Sequence, residues 1–324
     1  MKLTSVRIAL IAVVSLFTFQ LLAQNASNPI QVALLRWYPA NMAAQLSTCS
    51  IPNGLAFDGS HIWVACESAD EIEEFNSSDG ALVRIVTGVT SPYALAYDGA
   101  NIWAANYSSN SVTEVNASTG AISGPFSVGS EPSGIAFDGT NIWVTNQGSN
   151  SISKIVAATG AVTPPYPLTG CPTPWGIAFD GANLWVACHN ANVVAKINPS
   201  TGSVSTTVPV GQEPISVTFD GETGQTSGPF IWTANSSSGN VSKISTTTLG
   251  VAPFAAGPQP YGMAFDGLYI WVTSPSAGTV TKLLQSTGAT VGTYSTGGSG
   301  PVFVGFDGGN VYVSNRGSAT IAKM

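Results

Sequence analysis

Beyond residue 30 the chain shows no stretch in which apolar residues return with a helical period. Short apolar runs rich in Ile, Val, Phe and Trp alternate with clusters of Gly, Asn, Asp and Ser. That pattern predicts strands joined by tight turns. Residues 132–170 show it well. Ile135-Ala136-Phe137 and Ile142-Trp143-Val144 flank Asp138-Gly139, a strong hairpin signal because its turn needs positive φ. Ser151–Ile155 follows as a third run, and Thr159-Gly160 turns the chain into a fourth.

The hairpin phrase recurs seven times, with its aspartate at Asp58, Asp98, Asp138, Asp180, Asp220, Asp266 and Asp307. Subtracting successive numbers gives steps of 40, 40, 42, 40, 46 and 41 residues. A period near 40 marks a repeat architecture. Each unit holds four strands, termed a to d. Four such strands cannot bury both faces alone, but stacking around an axis buries them and leaves only short edges. The expectation is an all-β, seven-bladed β-propeller of four-stranded antiparallel blades. Trp63, Trp103, Trp143, Trp185, Trp232 and Trp271, with Tyr312 in the last unit, then fall on strand b and are expected to pack between blades.

The seventh unit ends after strand c. Residues 42–49 align with strand d of other units, so an N-terminal strand is expected to pair with the C-terminal blade and remove its open edge. Val32–Arg36 also reads as a strand, one more than the ring can hold. Lys2 and Arg7, followed by an apolar run from Ile8 to Ala23, read as a secretory signal peptide over 1–23, cleaved after Ala23. The predicted organisation is therefore 1–23 signal, 24–41 N-terminal segment with the surplus strand, and 42–324 propeller. Blade 5 carries an insertion from Glu222 to Pro229.

Charge narrows the partners. The chain has 10 Lys and Arg against 17 Asp and Glu, and the signal removes Lys2 and Arg7 from the first group. With no basic patch, nucleic acid is not an expected partner. No later segment has the roughly 20 apolar residues of a membrane span, so no membrane insertion is expected either. The protein is expected to be secreted or periplasmic, and a monomer. Cys49 and Cys66 take the same two hairpin positions as Cys171 and Cys188. An oxidising compartment makes Cys49–Cys66 and Cys171–Cys188 disulfides the expected pairing. Four metal ligands in one place are not available from pairs three blades apart.

Candidate chemistry lies where strand a begins and strand b ends. Two positions per unit vary there while their neighbours hardly do. One follows the proline before strand a and supplies Tyr93, Trp175 and Tyr261. The other follows strand b and supplies Glu67, Tyr107, Gln147, His189 and Arg316. Aromatic faces with a few polar groups suit a small molecule or glycan in a concavity, or a protein partner. Trp175 is expected at the rim of this funnel, and Arg316 is expected to orient an acidic or polar group. His61, in an a–b turn at the other face, reads as a turn residue, and the repeated aspartates read as turn stabilisers. No Gly-x-Ser-x-Gly, His-Glu-x-x-His or phosphate loop is present. No catalytic residue, cofactor or metal is expected.

The phrase Pro-x-Gly-Ile-Ala-Phe-Asp-Gly-x-Asn-Ile-Trp-Val-x-Asn resembles the YncE and YVTN group of secreted propellers and NHL repeats. It is more distantly similar to streptogramin B (virginiamycin B) lyase. The resemblance covers about 42–324. The lyase likeness implies a magnesium-dependent linearisation of cyclic depsipeptides by a Glu and nearby histidines, with a strand b reading Trp-Phe-Thr-Glu. Here strand b reads Trp-Val-Ala-Asn or a close variant, and Glu67 alone follows it with a carboxylate. No lyase residue is carried over. The leading expectation is a non-enzymatic binding propeller. A streptogramin B lyase-like enzyme with a degenerate site, and a structural surface module, are the alternatives.

Overall fold

The computed structural model describes residues 44–221 and 229–324. The signal over 1–23, the segment 24–41 with Val32–Arg36, and residues 222–228 of the blade-5 insertion lie outside the described residues.

The described chain forms seven four-stranded sheets, each antiparallel throughout. Blade 3 is representative. Strand a is Pro132–Phe137, strand b Asn141–Asn146, strand c Ser151–Val156 and strand d Ala161–Pro167. Burial falls outward through the blade. Ile142 to Asn146 on strand b are all fully buried, whereas strand d is mostly exposed. Strands b and c are covered on both faces by neighbouring blades. This explains why strand b reads as a continuous apolar run rather than an alternating one.

Closure follows the expected route. Ala44–Ser47 pairs antiparallel with Thr320–Lys323, in register from Ala44 opposite Lys323 to Ser47 opposite Thr320. It supplies strand d of blade 7, within the expected 42–49.

The strand-b aromatic joins each blade to the next. Trp63 clusters with Leu95, Ile102 and Ala104 of blade 2, Trp143 with Ile177, Leu184 and Val186 of blade 4, and Tyr312 of blade 7 with Ile62 and Val64 of blade 1. A polar link at the opposite edge of the ring was not foreseen. The indole Nε1–H of Trp63, Trp103, Trp143, Trp185 and Trp271 donates to the Oδ2 of the turn aspartate five positions earlier, at 2.7–2.8 Å. Blade 5 keeps the bond across its insertion, Trp232 to Asp220 at 3.1 Å, and in blade 7 the Tyr312 hydroxyl donates to Asp307. The other oxygen, Oδ1, accepts the turn amides, as from Thr140 and Asn141 onto Asp138. Each aspartate therefore both shapes its turn and anchors the aromatic.

Consecutive blades are also latched by backbone geometry. Asp70, Asn110, Asn150 and Asn192 take positive φ in their b–c turns, a region Asn and Asp tolerate best. Their Oδ1 atoms accept the amides of Ser91, Glu131, Thr173 and Glu213, which lead into strand a of the following blade. Glycine in or just before strand a has a separate cause. A Cβ on Gly134 would lie 2.3 Å from the Trp175 carbonyl oxygen, and one on Gly262 2.1 Å from that of Val302. Innermost strands approach too closely there for any side chain.

Burial tends to raise the carboxyl pKa of Asp58, Asp98, Asp138 and Asp307. The hydrogen bonds from the aromatic, the turn amides and neighbouring side chains outweigh it and hold each below the ordinary value. These bonds contribute fully above the usual carboxyl pKa of about 3.9 and are lost as pH falls through the lower folded value. Trp143→Phe removes one such donor. At pH 7 it should cost at least about 1.5–3 kcal/mol for a bond to a charged acceptor, plus lost packing. Packing loss is independent of pH. The deficit in urea unfolding should therefore narrow as pH drops below about 4; a constant deficit would show that the indole–carboxylate bond contributes nothing.

Candidate functional site

All eight predicted residues come to one axial face, because the backbone docks the end of strand b over the start of strand a. The amides of Tyr107, Gln147, His189 and Arg316 donate to the carbonyls of Ser91, Glu131, Thr173 and Gly300, and that of Glu67 to Ile51. In blades 1 and 4 this junction is covalent. Cys49–Cys66 and Cys171–Cys188 are both disulfides, with Cα atoms 5.8 and 4.8 Å apart. Asn146 does the corresponding work in blade 3. Its side chain fills the space against Gly129 and donates to Ser151 and Ser153.

The aromatics do not stand apart as open faces around a funnel. Tyr93 is only 7% exposed, and its hydroxyl meets that of Tyr261 across the axis at 2.6 Å. The Phe303 ring abuts both, with centroids 5.6 Å from Tyr93 and 6.2 Å from Tyr261. Tyr107 lies against Tyr93, and the Trp175 ring meets Tyr261 edge-on. Together they plug the channel mouth. Beneath the plug lies an axial cavity of about 150 Å³, bordered by glycine-rich inner strands of all seven blades. The reason is spatial. Small residues let the inner strands approach, leave a hollow, and burying large rings over it stabilises more than exposing them.

Trp175 is half-buried, stacked on His189 with centroids 5.6 Å apart. Its Nε1 is buried without a hydrogen-bond partner and the residue borders the axial cavity. Phe303 is not among the residues that the sequence singled out. Strand a carries a register shift between Pro301 and Val304, so alternation does not reveal which of Val302 and Phe303 faces the axis.

The polar residues are already paired. Arg316 contacts Glu67 Oε2 at 2.7 Å, and Asn53 Nδ2 donates to the same oxygen at 2.7 Å. Arg316, expected to be free for an acidic group, is thus neutralised within the face. The Tyr107 hydroxyl donates to Gln147. His189 Nδ1 lies 2.9 Å from the side-chain oxygen of Asn190. Burial, then the adjacent Tyr261, pushes the Tyr93 hydroxyl well above its ordinary pKa, and burial raises Tyr261 too. Both stay neutral at ordinary pH and offer no base.

Outside the plug, between blades 5, 6 and 7, the face opens into a depression of about 480 Å³. Ile215, Val302 and Pro275 give it apolar walls, Tyr261 an aromatic one, and Ser236, Gln259 and Arg316 polar groups.

No protein-family model and no characterised protein sequence matches the chain. Solved structures share its fold. A streptogramin B lyase aligns with TM-score 0.73 and 19% identity, covering 87% of this chain and 96% of its own. Hydrazine synthase from Kuenenia stuttgartiensis aligns with TM-score 0.74 and 21% identity, over 86% and 96%. A catalytically inactive histidine-to-alanine variant of virginiamycin B lyase from Staphylococcus aureus, with quinupristin, aligns with TM-score 0.71 and 20% identity, over 87% and 98%. At these identities the likeness concerns the fold.

The Tyr93–Tyr261 contact sets an expectation for the plug. Tyr93→Phe and Tyr261→Phe should each cost about 0.5–1.5 kcal/mol in urea unfolding. The double variant should lose little more than either single one, because the bond is lost once. Strictly additive losses would mean that the hydroxyls do not act as a pair.

Proposed function

We propose that this chain is a non-enzymatic binding propeller that takes a glycan or a similar small polar molecule on the axial face bearing Tyr261 and Arg316. The depression of about 480 Å³ carries this reading. It combines an aromatic and aliphatic wall, suited to the apolar face of a sugar ring, with Ser236, Gln259 and Arg316 to meet hydroxyls. Arg316 keeps part of its guanidinium for a ligand, since Glu67 engages it at a site where its side chain is still 40% exposed. Trp175 backs the site by holding Tyr261 edge-on. Secretion fits this reading. Both disulfides suit an oxidising compartment. Among the described residues, no helix is long and apolar enough to cross a membrane.

A lyase reading draws on the fold shared with streptogramin B lyase. The resemblance implies a magnesium centre, and the residues here do not fit one. His189 is stacked on Trp175 with Nδ1 turned to Asn190, Glu67 is tied to Arg316 and Asn53, and Glu213 accepts from Ser237. These groups are engaged with one another, so no step is derived through that metal.

Titration calorimetry of the protein against a panel of soluble oligosaccharides tests the proposal. At least one should bind saturably without being altered. Tyr261→Ala and Trp175→Ala should each weaken it by more than about 1 kcal/mol, roughly fivefold, with far-ultraviolet circular dichroism and a cooperative unfolding transition retained. Absence of binding to millimolar concentration, or equal affinity in both variants, would sink the glycan reading. Magnesium-dependent opening of a cyclic depsipeptide would replace it with the lyase.

A further inference from the structure

The face opposite the plug carries a cluster that the repeat itself makes conspicuous. In blade 1 the a–b turn and strand c bring together Asp58 Oδ2, His61 Nδ1 and Glu74 Oε1. His61 Nδ1 lies 3.2 Å from the aspartate oxygen and 3.3 Å from the glutamate oxygen, and all three atoms lie within 4.8 Å of one another.

The other blades show how such a position is ordinarily filled. The place of His61 is Asn in blades 2, 3, 4 and 7, as at Asn101 and Asn141, where the amide donates to the turn aspartate. The place of Glu74 is Lys in blades 3 to 7. There the amine stands over the strand-b aromatic, as Lys154 over Trp143 and Lys196 over Trp185. Blade 2 has Glu114 but keeps Asn101. Only blade 1 replaces both, exchanging a cation and an amide for a carboxylate and an imidazole. Glu74 is 1% exposed, and its Oε2 is engaged by the Arg84 guanidinium. Turn formation needs neither change, since the Asp58 turn closes as the others do.

We infer that Asp58, His61 and Glu74 form a binding site for one transition-metal dication of the zinc type on the face opposite the plug. Zinc bonds of about 2.0–2.2 Å place tetrahedral ligand atoms about 3.3–3.6 Å apart. The two separations from His61 Nδ1 are already close to that. The surroundings hold the ligands in place. Trp63 Nε1–H donates to Asp58 Oδ2 at 2.8 Å, and Arg84 Nε lies 3.2 Å from Glu74 Oε2, leaving Oε1 for the site. Two carboxylates and Arg84 sum to one negative charge, which a dication reverses. His61 keeps 29% of its side chain exposed, so the fourth position opens to water. An imidazole with only two carboxylates favours zinc over calcium, which needs six to eight oxygens.

Titration calorimetry of tag-free protein with zinc chloride, and separately with calcium and magnesium chloride, decides the matter. One zinc per chain should bind, with the alkaline-earth ions much weaker. His61→Asn installs the residue of four sister blades and should keep the fold. It should weaken zinc by more than about tenfold, since losing even an orienting partner costs 10–100-fold. Glu74→Gln should do likewise, and the rise in melting temperature that zinc gives the wild type should be lost in both variants. His189→Ala, on the other face, should leave binding intact. No saturable zinc binding below millimolar, unchanged affinity in His61→Asn, or loss in His189→Ala would overturn the inference. His61 would then simply bridge the two carboxylates.

Discussion

The bond from a strand-b aromatic to a turn aspartate organises this propeller. A large ring between blades supplies apolar area, but area alone does not set its depth or tilt. Anchoring the polar tip of each ring on Asp58, Asp98, Asp138, Asp180, Asp220, Asp266 or Asp307 does. The same carboxylates close the a–b hairpins through their second oxygen. One residue type thus couples local turn geometry to packing between blades. The insertion after Asp220 shows how firm this coupling is: the turn is lengthened, yet Trp232 still finds its aspartate and Phe230 N still donates to it.

With that frame repeated around the axis, the two faces are free to differ. On one, the ends of strands b meet over the starts of strands a, and two disulfides hold the junction in blades 1 and 4. Close approach at Gly54, Gly134, Gly176 and Gly262 leaves an axial hollow, and Tyr93, Tyr261 and Phe303 roof it. The open depression lies off the axis, toward blades 5 to 7. On the other face, blade 5 lengthens its a–b turn after Asp220, and blade 1 alone combines a histidine at the turn with a glutamate on strand c.

This division bears on the fold's relatives. The chain shares its propeller with streptogramin B lyase and with hydrazine synthase over most of its length. Two such differently named proteins on one scaffold illustrate that blades carry sites rather than dictate them. Here the axial face has its charge paired within itself, Glu67 to Arg316, and its tyrosines held neutral by burial.

Blade number, strand order, closure by an N-terminal strand and both disulfides were legible in the sequence. Each follows from local signals, Asp-Gly turns, apolar runs and equal spacings, repeated often enough to leave one consistent ring. The placement of the eight candidate residues on one face was legible for the same reason. Their arrangement was not. That Tyr93 meets Tyr261, 168 residues away, and that Glu67 meets Arg316, 249 residues away, depends on ring diameter and rotamers. Phe303 was hidden by a bulge, and the second role of the aspartates by the folding-back of strand b onto its own turn. Repeats encode what each unit does with itself. Only closing seven of them around an axis decides which side chains meet across it, because those distances are set by the whole ring and by no segment of it.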